Sequence, residues 1–156
     1  MKFSKLTERI SQLGSDKWLV HLEARKLKKN NPNIIELTIG EPDQLPPNEL
    51  IQKCYESMIS GRTKYSNGRG EESLLEALAK KYQSRTSLKV SKNNFLCLPG
   101  TQTALFATVM CLVEEGDEIL VGDPYYATYE GIIKSSGANL IPIPLREEHD
   151  LSLIHI

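Results

Sequence analysis

The second half of the chain alternates short apolar runs with helical patterns, and this alternation constrains the fold more than any other feature. Strands are predicted over Phe95–Leu98, Glu118–Val121 and Ala138–Ile143. Helices are predicted between them, over Thr101–Glu115 and Tyr125–Ser136. Strands that are separated by helices pair in parallel through right-handed crossovers. The chain is therefore predicted to be an α/β protein with a mainly parallel sheet.

Helical patterns also fill most of the first half, where one short strand is predicted at Ile34–Ile39. Pro47 suits the first turn of a helix and Gly61 suits the position just past its end. That helix carries an apolar face at helical spacing, formed by Ile51, Cys54, Tyr55 and Met58. The predicted helices of this half are Ser15–Lys29, Pro47–Ser60 and Glu71–Ser84.

Composition excludes several classes of function. The net charge of −1 does not favour nucleic acid or an anionic membrane as a partner. The sequence contains no secretory signal at its start and no apolar run that is long enough to span a membrane. Three cysteines without C-x-x-C spacing indicate reduced thiols, and three histidines without ligand spacing indicate no metal site. A cytoplasmic location is predicted.

A glycine turn between a predicted strand and a predicted helix marks the candidate binding site. Gly100 ends the strand Phe95–Leu98, and the helix begins at Thr101. The first turn of a helix offers free N–H groups and the positive end of its dipole, which together bind phosphate. Tyr125 and Tyr126 follow the next strand and could cover a planar ring. Phosphate and a planar ring together indicate a cofactor.

The familiar nucleotide motifs do not account for this site. Gly68 and Gly70 form a G-x-G without the third glycine and without a strand directly before it. The sequence contains neither a P-loop nor a G-x-S-x-G nucleophile motif. Dinucleotide binding, P-loop phosphoryl transfer and serine-hydrolase chemistry are therefore disfavoured.

Four motifs in a fixed order carry a family resemblance. They are Gly40–Asp43, Tyr65–Gly68, Gly100–Leu105 and Gly116–Tyr129. This series resembles the amino-terminal part of the class I/II aminotransferases, the fold-type I enzymes that use pyridoxal 5′-phosphate. The resemblance implies the start of the large domain of these transferases, a three-layer α/β/α structure that is incomplete here. Residues 1–45 would supply the N-terminal segment and small-domain elements, and residues 46–156 part of the large domain.

The resemblance assigns cofactor contacts to positions that match the family motifs. The backbone N–H groups of Gly100, Thr101 and Gln102 would hold the cofactor phosphate. Tyr126 would stack on the pyridine ring, with Tyr125 as the rival for that role. Stacking of this kind fixes the plane of a ring.

Two further residues take roles from the resemblance. Tyr65 would donate its hydroxyl to the phosphate of the partner subunit, which implies a homodimer. Gly40 would let its backbone approach the substrate carboxylate, because a side chain at that position would block the amino acid. The implied substrates are an amino acid and a 2-oxo acid.

The sequence lacks the lysine that the chemistry requires. In the family this Schiff-base lysine follows a later strand in a Ser-x-x-Lys context, and no Ser-x-x-Lys occurs here. The lysines that are present do not match its position, among them Lys53, Lys64, Lys92 and Lys134. We therefore expect an N-terminal fragment that has no catalytic residue of its own and is inactive alone. The resemblance fades before residues 150–156, whose origin stays open.

Alternatives remain open on the sequence alone. Within the family, the run from Leu98 to Glu130 most resembles broad-specificity and arginine–pyruvate-type transaminases. A β-lyase on the same scaffold would use the same cofactor for a different reaction. A non-catalytic module that binds the cofactor or regulates transcription is the third alternative.

Overall fold

The computed structural model describes residues 2–11, 13 and 15–152. Two compact units are present, the first formed by Met1–Gly40 with Gln102–Ile156 and the second by Glu41–Thr101. The predicted domain boundary after residue 45 stays a prediction. The helices are α1 (Lys5–Ile10), α2 (Ser15–Asn30), α3 (Asn48–Ile59), α4 (Glu72–Gln83), α5 (Thr101–Leu112) and α6 (Tyr129–Ser136), and the strands are β1 (Glu118–Asp123) and β2 (Asn139–Pro144).

A β-α-β element organises the first unit. β1 and β2 pair in parallel, in a register that runs from Glu118 opposite Asn139 to Asp123 opposite Pro144. Helix α6 lies between them in the chain, as a parallel connection requires. The predicted α/β class and the parallel pairing of these two strands are confirmed.

Helix α6 ends at Gly137, whose backbone conformation favours glycine. Gly137 has φ of 91°, in the left-handed region, and caps the helix. A Cβ at this position would lie 3.0 Å from Nη1 of Arg9, which belongs to α1. Arg9 also forms an ion pair with Glu115, with Nη2 2.7 Å from Oε2. The small core of this unit includes Val109 and Ile133.

The second unit is built around α4. Leu75 on this helix is buried, and its exposed face carries Glu72 and Glu76. Both carboxylates form ion pairs with Lys92, at the start of the short 3₁₀ helix Lys92–Asn94. These ion pairs fasten the segment that leads towards α5.

Two predicted strands are wrong. Phe95–Leu98 and Ile34–Ile39 have no strand partner among the described residues and are irregular. A strand forms only by pairing with another strand. Within Phe95–Leu98, the Cys97 N–H donates instead to the carbonyl oxygen of Arg69, in a loop, at 2.8 Å. Helix α6 begins at Tyr129 rather than Tyr125, since residues 125–128 form a turn.

Much apolar surface is exposed in this structure. The predicted apolar face of α3 is about half exposed at Ile51, Tyr55 and Met58.

Across the described ranges, no helix has both the length and the apolarity that crossing a bilayer requires. The same ranges hold no group of three or more His, Cys, Asp or Glu side chains that could bind a metal ion. Residues 153–156 lie outside the described part of the chain.

Candidate functional site

The start of α5 has the geometry of an anion site. Gly100 has φ of 85°, a left-handed conformation that glycine adopts without strain. The helix begins at the next residue, Thr101, and its first turn carries no acidic side chain. The N–H groups of that turn have no partners within the helix, and the dipole adds positive potential there. An anion at this position would meet backbone donors and no carboxylate from the first turn of α5.

The turn after β1 presents an aromatic ring. Tyr126 is 62% exposed, so a large part of its ring is accessible. Its ring lies edge-on to that of Tyr129, with centroids 6.0 Å apart. The N–H of Tyr129 also donates to the carbonyl oxygen of Tyr126 at 3.0 Å, which closes the turn. These contacts fix the ring while leaving it open to a ligand.

A side-chain hydrogen bond joins the two predicted motifs within the first unit. Thr128 Oγ1 donates to Gln102 Oε1 at 2.8 Å. Thr128 follows Tyr126 by two residues, and Gln102 is the second residue of α5. The start of α5 and the turn between β1 and α6 are therefore directly linked, although 26 positions separate the two residues in sequence. The sequence offered no signal for this contact.

A cleft of about 500 Å³ within the first unit brings two of the predicted residues together. Gly40 and Tyr126 both line it, and Tyr125 is not among the lining residues. Trp18 and His21 form another part of the wall, with ring centroids 5.7 Å apart in an edge-on arrangement. The full lining is Leu13, Trp18, His21, Thr38, Ile39, Gly40, Tyr126, Ala127, Thr128, Glu130, Gly131 and Ile132.

The fold itself does not demand glycine at position 40. The φ of Gly40 lies outside the left-handed region, and a Cβ built there meets no heavy atom within 4 Å. A methyl group at this position would project into open space beside the cleft. Neither the φ of Gly40 nor a neighbouring atom therefore requires glycine at this position.

A polar cluster anchors the segment before Gly40. His21 is only 7% exposed, and its Nδ1 lies 2.8 Å from Thr38 Oγ1 and 2.9 Å from Glu36 Oε1. The Thr38 hydroxyl donates to the same carboxylate at 2.9 Å. This donated bond lowers the pKa of Glu36, and the positive charges nearby act in the same direction. A carboxylate only accepts, so the geometry places a proton on Nδ1 of His21.

Tyr65 lies in the second unit, in the loop between α3 and α4, and its side chain is fully exposed. A phenol hydroxyl both donates and accepts, and an exposed one can donate to a neighbouring molecule. The role of Tyr65 towards a partner subunit stays a prediction.

Three of the lysines named from the sequence form ion pairs with glutamates: Lys53, Lys92 and Lys134. Lys53 and Lys134 pair with glutamates one turn away, at 3.3 Å and 2.9 Å. The hydrogen bond from Lys92 to Glu72 raises the pKa of Lys92. A nucleophilic lysine needs a lowered pKa. The structure therefore offers no support for any of these three as the reactive lysine.

Comparisons with known proteins agree with the motif series. Residues 32–154 match the model of the family described as aminotransferase class I and II. The chain is 34% identical over 149 residues to arginine–pyruvate transaminase of Pseudomonas aeruginosa, covering 96% of this chain and 38% of that protein. It is 31% identical over 150 residues to kynurenine–oxoglutarate transaminase 3 of Homo sapiens, covering 95% of this chain and 32% of that protein.

A solved structure has the same fold over nearly the whole chain. The aspartate aminotransferase from Thermus thermophilus, solved with maleate, superimposes with a TM-score of 0.85 at 25% identity. The superposition covers 97% of this chain and 39% of that structure. The chain thus spans between a third and two fifths of the length of the proteins it matches.

Proposed function

This chain belongs to the class I and II aminotransferases, and we propose that it forms the amino-terminal part of an enzyme that transfers an amino group from an amino acid to a 2-oxo acid. Enzymes of this family depend on pyridoxal 5′-phosphate. When bound, this cofactor supplies the electron sink for chemistry at the substrate α-carbon. The observation that carries the proposal is the start of α5, which offers backbone donors after Gly100 and is linked through Thr128 to the turn that presents Tyr126.

The residues at the start of α5 fit a phosphate dianion. Gly100 adopts the left-handed turn, and the N–H groups of Thr101 and Gln102 open the helix behind it. Hydrogen bonds from such groups to an ionised oxygen are about twice as strong as neutral ones. We assign phosphate binding to these three residues.

Tyr126 fits the role of the ring platform. Its exposed ring lines the cleft that Gly40 also lines, so a planar group stacked there would face open volume rather than protein. Tyr125 is more covered and is not a lining residue. We therefore assign stacking to Tyr126 and not to its neighbour.

Gly40 would admit the substrate carboxylate into the cleft. The contacts of His21 and Glu36 with Thr38 hold the backbone two residues before Gly40 against α2. Such an anchor fixes the position of the glycine, so an approaching amino acid meets a preorganised wall. We assign these residues a positioning role through Gly40 only.

Partners and location extend the same proposal. The complete enzyme would act on an amino acid and a 2-oxo acid as a homodimer, in which the exposed Tyr65 reaches the phosphate of the partner subunit. Cys54, Cys97 and Cys111 are all free thiols, which supports a cytoplasmic location. The 156-residue chain alone is expected not to catalyse transamination, because no lysine matches the required position.

A hybrid enzyme tests the proposal. Residues 32–152 of this chain replace the matching segment of the Pseudomonas transaminase, which serves unmodified as the reference. We expect the hybrid to retain pyridoxal 5′-phosphate through dialysis and to transfer amino groups. Tyr126→Leu should weaken retention about fivefold, the value of one aromatic stacking contact, and Tyr125→Leu should not. A folded hybrid that retains no cofactor would contradict the proposal.

A further inference from the structure

Thr128 occupies a helix-capping position without capping the helix. It is the N-cap residue of α6, with φ of −84° and ψ of −14°, and its side chain makes no cap hydrogen bond. A threonine in this position ordinarily accepts a bond from the second or third N–H of its helix, which stabilises the helix by about 1 kcal/mol. Here the hydroxyl instead donates to Gln102 Oε1 at 2.8 Å. A local preference is thus overridden by a contact to a distant residue, as happens at functional sites.

The contact determines which end of the Gln102 amide is available. The amide has one acceptor oxygen and two N–H donors. Thr128 occupies the oxygen, so the donors are the groups that Gln102 can offer to another partner. Gln102 lies in the first turn of α5 and its side chain is exposed. A ligand at this turn therefore meets the donor end of the amide.

We propose that Thr128 is a positioning residue that orients the Gln102 amide so that its N–H groups donate to the cofactor phosphate. The inference rests on the proposed function, because it concerns the phosphate assigned to the start of α5. Thr128 itself does not touch the cofactor. It acts by removing rotational freedom from a long side chain, whose ordering would otherwise oppose binding.

The proposal predicts selectivity for the phosphorylated form of the ligand. Only the phosphate would accept hydrogen bonds from the oriented Gln102 N–H groups. The ring would contact Tyr126 in both the phosphorylated and the dephosphorylated ligand. Removing the Thr128 hydroxyl should therefore weaken binding of the phosphate ester and leave binding of the dephosphorylated form unchanged. A cap that merely supported α6 would affect both forms together.

The experiment uses the 156-residue chain and four variants. Thr128→Val removes the hydroxyl at nearly constant volume, and Thr128→Ser keeps it. Gln102→Ala removes the amide. Thr108→Val is the matched control, because the Thr108 hydroxyl bonds only the Ala104 carbonyl of its own helix, at 2.8 Å. The double variant T128V/Q102A completes a thermodynamic cycle.

The probes are pyridoxine 5′-phosphate and pyridoxine, which lack the aldehyde that reacts with surface lysines. Binding is followed by quenching of Trp18, the single tryptophan of the chain, which lines the same cleft as Tyr126. Inorganic phosphate serves as a competitor. Thermal unfolding of each variant is measured alongside.

We expect Thr128→Val to weaken binding of pyridoxine 5′-phosphate three- to tenfold, roughly the value of one hydrogen bond, and binding of pyridoxine by less than about 1.5-fold. Thr128→Ser should restore the affinity, and Thr108→Val should leave it unchanged. In the Gln102→Ala background, Thr128→Val should have no further effect. The melting temperature of Thr128→Val should fall no further than that of Gln102→Ala, because both variants lose the same side-chain hydrogen bond and Thr128 makes no capping bond to α6.

Other outcomes would overturn the inference. Equal losses for both probes, or a loss that persists in the Gln102→Ala background, would show that Thr128 acts through the fold. Unaltered affinity in Thr128→Val would show that the hydrogen bond has no role in binding. Failure of the unaltered chain to bind either probe would instead refute the proposed phosphate site itself. If a variant of the chain does not fold, the same comparison in the hybrid enzyme decides, through the rate at which pyridoxal 5′-phosphate is lost.

Discussion

Gly40 and Gly100 form a matched pair whose substitution by alanine separates the demands of the backbone from those of the site. At both positions an added Cβ meets no heavy atom within 4 Å. The positions differ in backbone conformation, since only Gly100 has a left-handed φ, of 85°. Any difference in stability between the two alanine variants therefore reports backbone strain and not crowding.

The structure sets the magnitude of this difference. Alanine in the left-handed region costs about 1–2 kcal/mol. Alanine at a compatible position stabilises by about 0.4–1 kcal/mol, because the unfolded chain loses freedom. The variants Gly40→Ala and Gly100→Ala should thus differ by about 2 kcal/mol in their free energies of unfolding. With a urea dependence of about 2 kcal/mol per M, their midpoints should lie about 1 M apart.

The two variants should also differ in the functional step that they impair. In the hybrid enzyme, Gly40→Ala should raise the KM for the amino acid and leave cofactor retention intact, because the added methyl group belongs to a residue that lines the cleft. Gly100→Ala should weaken cofactor retention. Urea unfolding of the chain and steady-state kinetics of the hybrid measure the two effects. Equal urea midpoints for the two variants would contradict the assignment of backbone strain to Gly100. A Gly40→Ala enzyme with unaltered KM would contradict the role of Gly40 in substrate access.

Three further predictions concern other parts of the chain. The lowered pKa of Glu36 means that its contribution to stability is present above its ordinary value of 4.5 and is lost as the pH falls through the lowered value. Glu36→Gln should therefore flatten the acid limb of stability, measured by unfolding at several pH values. Gly137→Ala should lower the free energy of unfolding by about 1–2 kcal/mol because of the φ of 91°, measured by thermal unfolding. Adding Arg9→Ala to this variant should remove the close contact between the new Cβ and the Arg9 guanidinium but leave the cost of the backbone conformation. Tyr65→Phe should leave the melting temperature unchanged, because the side chain is exposed, but weaken cofactor retention in the dimeric hybrid about three- to tenfold, measured by dialysis.

The β-α-β element could be predicted because its signals are local. Gly116 and Gly137 each follow a helical pattern, and the short apolar run after each glycine has the length of a strand. Both glycines do adopt a left-handed φ in the structure. The start of α5 could also be predicted from the sequence, because Gly100 comes directly before a helical pattern and α5 does begin at Thr101.

The remaining features depend on contacts that sequence patterns do not encode. Phe95–Leu98 has the composition of a strand, but strand structure requires a partner, and the described residues supply none. The bond between Thr128 and Gln102 joins residues 26 positions apart. The contact of His21 with Thr38 spans 17 positions, and histidine patterns alone do not predict it. Each depends on tertiary placement, which local periodicity leaves undetermined.

The central claim is that the first N–H groups of α5 bind the cofactor phosphate while Tyr126 covers the ring. Titration of the ¹⁵N-labelled chain with pyridoxine 5′-phosphate tests it most directly. The account predicts that the amide resonances of Thr101 and Gln102 shift with the phosphate ester and not with pyridoxine, and that Tyr126 ring signals shift with both. Shifts that leave Thr101 and Gln102 unaffected, or that cluster on Tyr125, would contradict it.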